Sequence, residues 1–428
     1  MVKKIVLIGA GSAVFTRGLV ADIIQTPDLG VSELGLVDID SDVLDVVKRL
    51  VQQMIDAKKA DIRLSASTDR REILPDSDVV VTTIAVGGRR AWEADVFIPR
   101  QFGIYQPVGD TVMPGGISRA LRMIPAMLSI ASDIQRLCPN AHFFNYSNPM
   151  TVTCRAIRKA TDVKVIGLCH GTFHTEGYLA KLSGVPRNEV TSLAVGVNHL
   201  TWIYDFRWKG QNALPMAYEH RGKDNPFSWS LYEAYGAFPA PGDRHTTEFF
   251  PERFPSGHYY GKVLGVDAFS LEKTIEHGDL AYAKMREQAL GRQPLDEWIF
   301  QRAPGEHEQL VDILMSIEKD ERRVSHVNMP NQGAVPNLQD DAILELPAVS
   351  TGRGFCQIRI DHFPDTIAAL LNRRIAAQEL TVEAALTGSR QLVIEALLAD
   401  GAVQDPNTAR QLCDALINAH KLYLPQFD

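Results

Sequence analysis

The sequence predicts an α/β protein with a doubly wound, mostly parallel sheet, followed by a second, mainly helical α+β domain. Apolar runs of strand length alternate with helical patterns up to about residue 190, which is typical of a parallel sheet with helices on both faces. From there to about residue 260 the chain is rich in aromatic and turn residues, and from residue 266 onward the pattern is mostly helical. We therefore expect one domain over residues 1–194 and a second over residues 195–428.

The first predicted strand covers residues 2–8 and ends in Gly9-Ala10-Gly11-Ser12, before a helical pattern that includes Phe15. A strand, a glycine turn and a helix in this order present free N–H groups to a pyrophosphate, so the unit predicts a Rossmann-like dinucleotide site. The third glycine of the G-x-G-x-x-G fingerprint would fall at Val14. The fingerprint is therefore incomplete, and a glycine turn without a nucleotide is the alternative interpretation.

The second strand, residues 34–37, ends at Asp38, an acid that favours NAD over NADP because it can accept from the ribose hydroxyls. A helix over 44–54, a strand over 78–85, a helix over 121–137 and strands over 143–146 and 163–168 follow. Ligands of open α/β sheets bind at the carboxyl ends of the strands. One crevice should therefore be surrounded by the ends of five strands, which lie at Gly9, Asp38, Ala85, Asn148 and Cys169.

Composition excludes several classes of function. The chain has 428 residues, and 44 Lys+Arg against 52 Asp+Glu give a net charge of −8, which argues against a nucleic-acid partner. No apolar run approaches the roughly 20 residues of a membrane span, and the first apolar run is too short for a signal peptide. The 5 cysteines are too few and too scattered for a disulfide framework. We expect a reduced, cytoplasmic enzyme.

Two groups of residues could carry chemistry. Cys169 and His199 could bind a divalent transition metal together with substrate oxygens, since thiolate and imidazole suit such ions. The alternatives are a buried small hydrophobe at Cys169 and a structural histidine at His199. The segment from Gly242 to Pro251 is dense in groups that transfer protons, and a solvated turn explains it equally well.

The order of these motifs resembles glycoside hydrolase family 4, the NAD-dependent exception to glycosidases that use two carboxylates. The resemblance runs through most of the chain, including segments 337–347 and 380–385 of the second half. It implies a Rossmann-like fold of the lactate/malate dehydrogenase type. The motifs that carry it are Gly9-Ala-Gly-Ser, Phe15-Thr16, Leu36-Val-Asp38-Ile-Asp40, Gly109-Asp-Thr with Gly115-Gly116, Ser147-Asn148-Pro149-Met150, Cys169-His170, Asn198-His199-Leu200 and Gly242-Asp-Arg-His-Thr with Glu248-Phe.

The resemblance also implies a mechanism. Tightly held NAD would take a hydride from C3 of the sugar, which acidifies the C2 proton, while Mn²⁺ or another divalent transition metal binds the C2 and C3 oxygens. A base would then remove the C2 proton, the glycosidic oxygen would leave with help from an acid, water would add, and the hydride would return. By this resemblance Asp243 is the base, Asp110 the acid whose pKa must rise, and Cys169 and His199 the metal ligands. The implied cofactor residues are Gly9, Gly11, Ser12, Phe15, Thr16, Asp38 and Asn148, and the implied sugar contacts are Asn148 and His170.

The sugar is predicted from the residues after the implied metal cysteine. Cys169-His170-Gly171 resembles the branches that act on non-phosphorylated sugars and favours the α-galacturonidases, then the α-glucuronidases, over the α-galactosidases and α-glucosidases. A uronate needs a cation, ideally a bidentate arginine. The candidates are Arg89, Arg90 and Arg244.

Two other classes remain open. A 2-hydroxy-acid dehydrogenase shares the NAD fold and an Asn-Pro at the same strand end, but it has no use for a metal pair such as Cys169 and His199. A catalytically silent NAD-binding sensor would be expected to lack these residues. The expected partners are a small glycoside, either an oligosaccharide or a uronide, and further copies of the chain in a homodimer or homotetramer.

Overall fold

The computed structural model describes residues 2–12, 15–300 and 309–428. Val14, where the third glycine of the fingerprint would fall, lies outside the described residues. The strands are β1 Lys4–Ile8, β2 Glu33–Val37, β3 Arg63–Ser67, β4 Val79–Thr82, β5 His142–Asn145, β6 Val165–Gly167, β7 Val190–Val197, β8 Leu200–Trp208, β9 Gln211–Asn212, β10 Phe238–Ala240, β11 His258–Tyr259, β12 Lys262–Val263, β13 Val324–Pro330, β14 Ile343–Thr351 and β15 Gly354–Gln357.

The helices alternate with the parallel strands in the first half and pack together in the last quarter of the chain. They are α1 Phe15–Gln25, α2 Ser41–Lys58, α3 Arg70–Ile73, α4 Gly88–Gln101, α5 Met113–Leu137, α6 Met150–Ala160, α7 Gly171–Ser183, α8 Leu214–Glu219, α9 Pro226–Tyr235, α10 Asp243–Thr246, α11 Leu271–Ala289, α12 Leu310–Glu318, α13 Asp365–Thr387, α14 Arg390–Asp400 and α15 Pro406–Ala419. Across the described ranges, no helix combines the length and apolar character that crossing a membrane requires.

The first six strands form a parallel sheet in the order β3-β2-β1-β4-β5-β6. This is the doubly wound Rossmann order, in which the chain starts in the centre and proceeds first to one edge and then to the other. The predicted fold class is confirmed. The strands predicted before residue 170 are all present, and each begins and ends within three residues of its expected bounds.

The second half of the chain extends the same sheet, apart from β11 and β12, which form a small two-stranded sheet of their own. β13 pairs antiparallel with β6, and β14, β7, β8 and β10 follow in that order. The chain after residue 266 is mostly helical, as predicted, but it also contributes the strands β13, β14 and β15. These strands carry prolines and buried polar residues such as Asn328 and Glu345, so they lack the apolar runs that made the earlier strands visible. Because β7 runs across residue 194, the division at that residue stays a prediction.

The core lies on both faces of the parallel strands. Ile5 and Leu7 of β1 face one side, while Val6 and Ile8 face the other, together with Met123 of α5. This alternation follows from the two-residue period of a strand. The edge where all six parallel strands end is therefore held by helices from both sides.

A buried ion network joins α4, α5 and the C-terminal segment. The Asp95 carboxylate accepts two hydrogen bonds from Arg122, at 2.8 and 2.5 Å, and one from Ser118 at 2.8 Å, and His420 Nε2 lies 2.9 Å from the same carboxylate. Burial alone would raise the pKa of Asp95, but hydrogen bonds from His420 and Arg122 outweigh it and lower the pKa. The network fixes α4 and α5, which flank the loop that carries Asp110.

Candidate active site

The glycine turn after β1 leaves no space for a side chain. Gly9 has φ +88°, and a Cβ there would lie 2.8 Å from the backbone nitrogen of Ile84. The Gly11 N–H donates to Asp38 Oδ2 at 2.8 Å, so the acid at the end of β2 holds the turn. The turn and the acid thus meet as the sequence predicted, at the carboxyl ends of adjacent strands.

The start of α1 links this turn to the end of β5. Ser12 Oγ accepts from Phe15 N–H at 3.3 Å, and the Thr16 hydroxyl donates to the carbonyl of Ala10 at 2.7 Å. The Phe15 ring lies 5.5 Å from the ring of Tyr146, which is itself 6.3 Å from the ring of His170. A continuous series of side chains therefore connects the predicted nucleotide turn with the region around Cys169.

The loop that carries Asp110 is fixed by close backbone packing and by a buried acid. A Cβ on Gly116 would lie 2.3 Å from the Thr111 carbonyl carbon, so only glycine lets α5 approach this loop. Glu248 Oε1 accepts from the N–H groups of Val108 and Gly109, both at 2.8 Å. Burial raises the pKa of Glu248 to about 8, with a contribution from the charge of Asp110.

The Asp110 carboxylate lies where three parts of the fold meet. Its Oδ1 accepts from the Thr111 hydroxyl at 2.7 Å, and its Oδ2 accepts from Asn148 Nδ2 at 3.0 Å. Burial would raise the pKa of Asp110, but the charges of His199, Arg119 and His245 outweigh it and lower the pKa. A general acid needs a raised pKa, and the acid role that the resemblance implies for Asp110 stays a prediction.

His199 and His245 complete a cluster with Asp110. One ligand atom from each of the three residues lies within 4.8 Å of the others, and the two imidazole centroids are 4.1 Å apart. Burial lowers the pKa of His199 and lowers that of His245 well below its ordinary value. Two imidazoles and a carboxylate form a donor set that suits a divalent transition metal.

The tautomer of His199 follows from its contact with Thr111. The Thr111 hydroxyl donates its single proton to Asp110, so the 2.7 Å contact with His199 Nδ1 requires a proton on that nitrogen. The lone pair of Nε2 is then free to bind a metal. A hydrogen bond from the other ring nitrogen to a neighbouring oxygen commonly fixes the tautomer and orientation of a metal-binding histidine in this way. His199 also has φ +70°, a strained backbone conformation that is typical of functional positions.

Cys169 lies beside this cluster and is not one of the three grouped residues. Its Sγ accepts from the Gly171 N–H at 3.4 Å. Burial raises the pKa of the thiol to about 12, and the charge of Glu345 adds to the effect. Without a bound cation the thiol is therefore protonated, and the role of Cys169 as a metal ligand stays a prediction.

Two residues of this region were not predicted as site residues. His245 lies in the 242–251 segment that was noted only for its density of proton-transfer groups. Glu345 of β14 is buried and accepts from Asn198 Nδ2 at 3.3 Å and from Asn328 Nδ2 at 3.3 Å. Glu345 lies in the 337–347 segment that carries part of the resemblance, but no role was predicted for it, because β14 reaches the site only through pairing of distant strands.

Both carboxylate oxygens of Asp243 accept hydrogen bonds from neighbouring protein groups. Its Oδ1 accepts from the N–H and hydroxyl of Ser228, at 2.7 and 2.6 Å, and its Oδ2 accepts from the N–H of Phe227 and the hydroxyl of Tyr259, at 2.9 and 2.6 Å. The carboxylate thus caps the first turn of α9 through three donors, where the helix dipole also favours it, and Tyr259 supplies the fourth donor. This geometry occupies the oxygens that a base would use, and the base role stays a prediction.

The three arginines predicted to read a uronate differ in their surroundings. Arg89 and Arg90 both pair with Asp279 at the surface, at 2.6 and 2.5 Å, and neither has a hydrogen bond with the cluster. Their charges are matched by the Asp279 carboxylate, and their role in binding a uronate stays a prediction. Arg244 donates to Thr274 Oγ1 at 3.2 Å, its Nε is buried without a hydrogen-bond partner, and it has no ion pair among the described residues.

Models of known families match nearly the whole chain. Residues 4–185 match the family 4 glycosyl hydrolase model, and residues 194–403 match the model of the family 4 glycosyl hydrolase C-terminal domain. The chain is 31% identical to an alpha-galactosidase of Rhizobium meliloti (strain 1021), over 99% of this chain and 89% of the relative.

Two further relatives bear on the fold and the family. An alpha-galacturonidase of Bacillus subtilis (strain 168) is 32% identical, over 97% of this chain and 96% of the relative. A crystal structure of a 6-phospho-alpha-glucosidase from gut microorganisms, in complex with NAD and Mn²⁺, superposes with a TM-score of 0.88 at 21% identity, covering 100% of both chains. The whole length of the fold is shared. The chain belongs to glycosyl hydrolase family 4.

Proposed function

We propose that this glycosidase depends on NAD and a divalent metal and cleaves an α-linked uronide, first an α-galacturonide and second an α-glucuronide. The observation that carries the sugar assignment is Arg244, a partly buried cation beside His199 and His245 that has no ion pair among the described residues. A buried charge without a partner is costly, and a uronate carboxylate would supply that partner. The alpha-galacturonidase relative and the Cys169-His170-Gly171 motif support the same substrate.

The residues of the nucleotide turn fit a bound NAD. The tight turn at Gly9 lets backbone groups approach a ligand, and Asp38 stands where the ribose hydroxyls would be recognised. Asn148 Oδ1 is buried without a hydrogen-bond partner among the described residues, as expected of a group that receives a ligand. The residues proposed to hold NAD are Gly9, Gly11, Ser12, Phe15, Thr16, Asp38 and Asn148.

The cluster at Asp110 fits a divalent metal such as Mn²⁺. His199 and His245 offer neutral imidazoles, Asp110 offers a carboxylate, and Cys169 is the proposed further ligand. When bound, the nicotinamide would supply a hydride acceptor and donor, and the metal would supply Lewis-acid stabilisation of charge on sugar oxygens. The protein's part is orientation: Thr111 fixes His199 and Asp110, and Asn148 holds the second oxygen of Asp110.

The remaining roles are assigned by position. We place His170 and Asn148 against the sugar, because His170 lies beside Tyr146 and Asn148 beside Asp110. The lowered pKa of Asp110 suits a metal-holding carboxylate better than a proton donor. Asp243 remains the proposed base from the resemblance alone, and its test is solvent exchange of the C2 proton.

The direct test is sugar release from α-galacturonide, α-glucuronide, α-galactoside and α-glucoside substrates, under reducing conditions, with NAD and Mn²⁺ each present or omitted. Release from a uronide that depends on both additives supports the proposal. Preferred release from a neutral hexoside would assign α-galactosidase or α-glucosidase activity instead, as in other relatives. Net NADH formation on 2-hydroxy acids without sugar release would favour a dehydrogenase.

Cys169→Ser tests the thiol as a metal ligand. We expect loss of activity and of Mn²⁺ binding, measured by metal content after dialysis, with NAD binding retained. Cys356→Ser is the matched control, because Cys356 is an exposed free thiol on β15. Metal-dependent turnover in Cys169→Ser equal to that of the control would refute the ligand assignment.

We also propose a cytoplasmic location and a homodimer or homotetramer. All the cysteines are free in the structure, and burial raises the pKa of the Cys138, Cys154 and Cys413 thiols, which suits a reducing compartment. Cell fractionation and light scattering of the purified chain test the location and the assembly.

A further inference from the structure

We propose that Arg119, on α5, binds the carboxylate of the uronide and thereby sets the preference for a uronide over a neutral hexoside. This inference rests on the proposed function. Arg119 Nε donates to the backbone carbonyl of Asn148 at 3.0 Å, and Asn148 Nδ2 donates to Asp110 Oδ2 at 3.0 Å. Asn148 thus links Arg119 to the Asp110 carboxylate through two hydrogen bonds, at the carboxyl end of the parallel sheet.

Among the described residues, Arg119 has no carboxylate within ion-pair distance. Its single hydrogen bond uses only one of five N–H groups. Its neighbour on the same helix, Arg122, is fully engaged with Asp95. Burial lowers the pKa of Arg119, although the charges of Asp110 and Asp95 favour the cation. A largely desolvated guanidinium with unused donors is suited to an anionic ligand.

The position of Arg119 favours the substrate over the cofactor as the source of that anion. Cofactor phosphates would bind at the Gly9 turn and the start of α1, whereas Arg119 lies on α5 and is linked to the Asp110 cluster through Asn148. Its guanidinium carbon lies 6.0 Å from the centroid of the Trp92 ring, which helps to hold the fork in place. Arg244 also acts electrostatically on His199 from α10, so in this proposal Arg119 and Arg244 both serve the substrate carboxylate.

A neutral hexoside carries a hydroxymethyl group where a uronide carries a carboxylate. Only the uronide can therefore form an ion pair with a guanidinium. The experiment compares kcat/KM for an α-galacturonide and the matching α-galactoside in wild type, Arg119→Gln and Arg119→Lys. We expect the galacturonide-to-galactoside ratio to fall at least 100-fold in Arg119→Gln and by a smaller factor in Arg119→Lys, which keeps the charge but loses the fork. Arg136→Gln, an exposed arginine of the same helix, is the control and should keep the wild-type ratio.

The outcomes separate the two proposals. Wild type that cleaves the galactoside but no uronide overturns the proposed function itself. Wild type that cleaves the galacturonide, combined with an unchanged ratio in both variants, overturns the assignment of Arg119 alone. A loss of NAD affinity at an unchanged ratio, measured by fluorescence titration, would assign Arg119 to the cofactor and also overturn it. Galacturonate inhibition of wild type and Arg119→Lys provides a second measure, in which we expect the inhibition constant to rise at least 10-fold in the variant.

Discussion

Glu248→Gln should change how the stability of this protein depends on pH. Glu248 is buried, and its pKa is raised to about 8 from the usual 4.5. It accepts hydrogen bonds from the N–H groups of the two residues that directly precede Asp110. Between these two pKa values the folded state holds a proton that the unfolded state releases, so wild-type stability falls as pH rises. The loss is at most about 1.4 kcal/mol per pH unit, or roughly 3 kcal/mol between pH 5 and pH 7.5.

Glutamine keeps the accepting oxygen and does not ionise, so the variant should lose this slope. The assay is thermal unfolding of wild type and Glu248→Gln at pH values from 5 to 8, where 3 kcal/mol corresponds to a difference of a few degrees. We expect the Tm of the variant, relative to that of wild type, to rise steadily as pH rises. Glu252→Gln, at an exposed glutamate nearby, is the control, and its Tm should depend on pH in the same way as that of wild type. Parallel curves for Glu248→Gln would refute the reasoning.

Three other substitutions test the scaffold of the site. Asp95→Ala leaves the buried Arg122 without its carboxylate and should cost about 3–5 kcal/mol, seen as a lower Tm, and an unchanged Tm would contradict the buried pair. Gly9→Ala places a Cβ 2.8 Å from the Ile84 nitrogen and should weaken NAD binding at least tenfold in a fluorescence titration, whereas wild-type affinity would show that the turn can adjust. Asp243→Ala should lower the Tm because four hydrogen bonds are lost. If Asp243 is the base, the same substitution should also stop exchange of the C2 proton of the sugar with deuterated solvent. Undiminished exchange would assign the base role to another residue.

The parallel half of the fold was predictable because its strands are buried on both faces. Such strands are continuous apolar runs, as in β4, and glycine turns or Asp-ended strands mark their ends. β13 and β14 gave no such signal. They pair with strands more than one hundred residues away, and Glu345 lies opposite Gly196 only through that pairing. Sequence periodicity reports local burial, so it cannot show which distant strands become neighbours.

The site was predictable where its residues lie at strand ends. Asp38, Asn148, Cys169 and the turn at Gly9 all end parallel strands, so topology alone places them at one edge. The environment of each group was not predictable. The lowered pKa of Asp110 depends on surrounding charges, and the pairing of Arg89 with Asp279 depends on how α11 crosses α4. These are properties of packing between elements that are far apart in sequence.

The position of β13 and β14 in the sheet has a consequence for synthesis on the ribosome. When the first 190 residues have emerged, β6 still has an open side, because its partner β13 begins at Val324. β7 likewise waits for β14, which ends at Thr351. A nascent chain therefore exposes an unpaired strand edge while more than a hundred further residues are translated, and such edges are prone to join with other chains. Chaperone capture of this intermediate, and aggregation of fragments that stop short of residue 351, follow directly from the strand order.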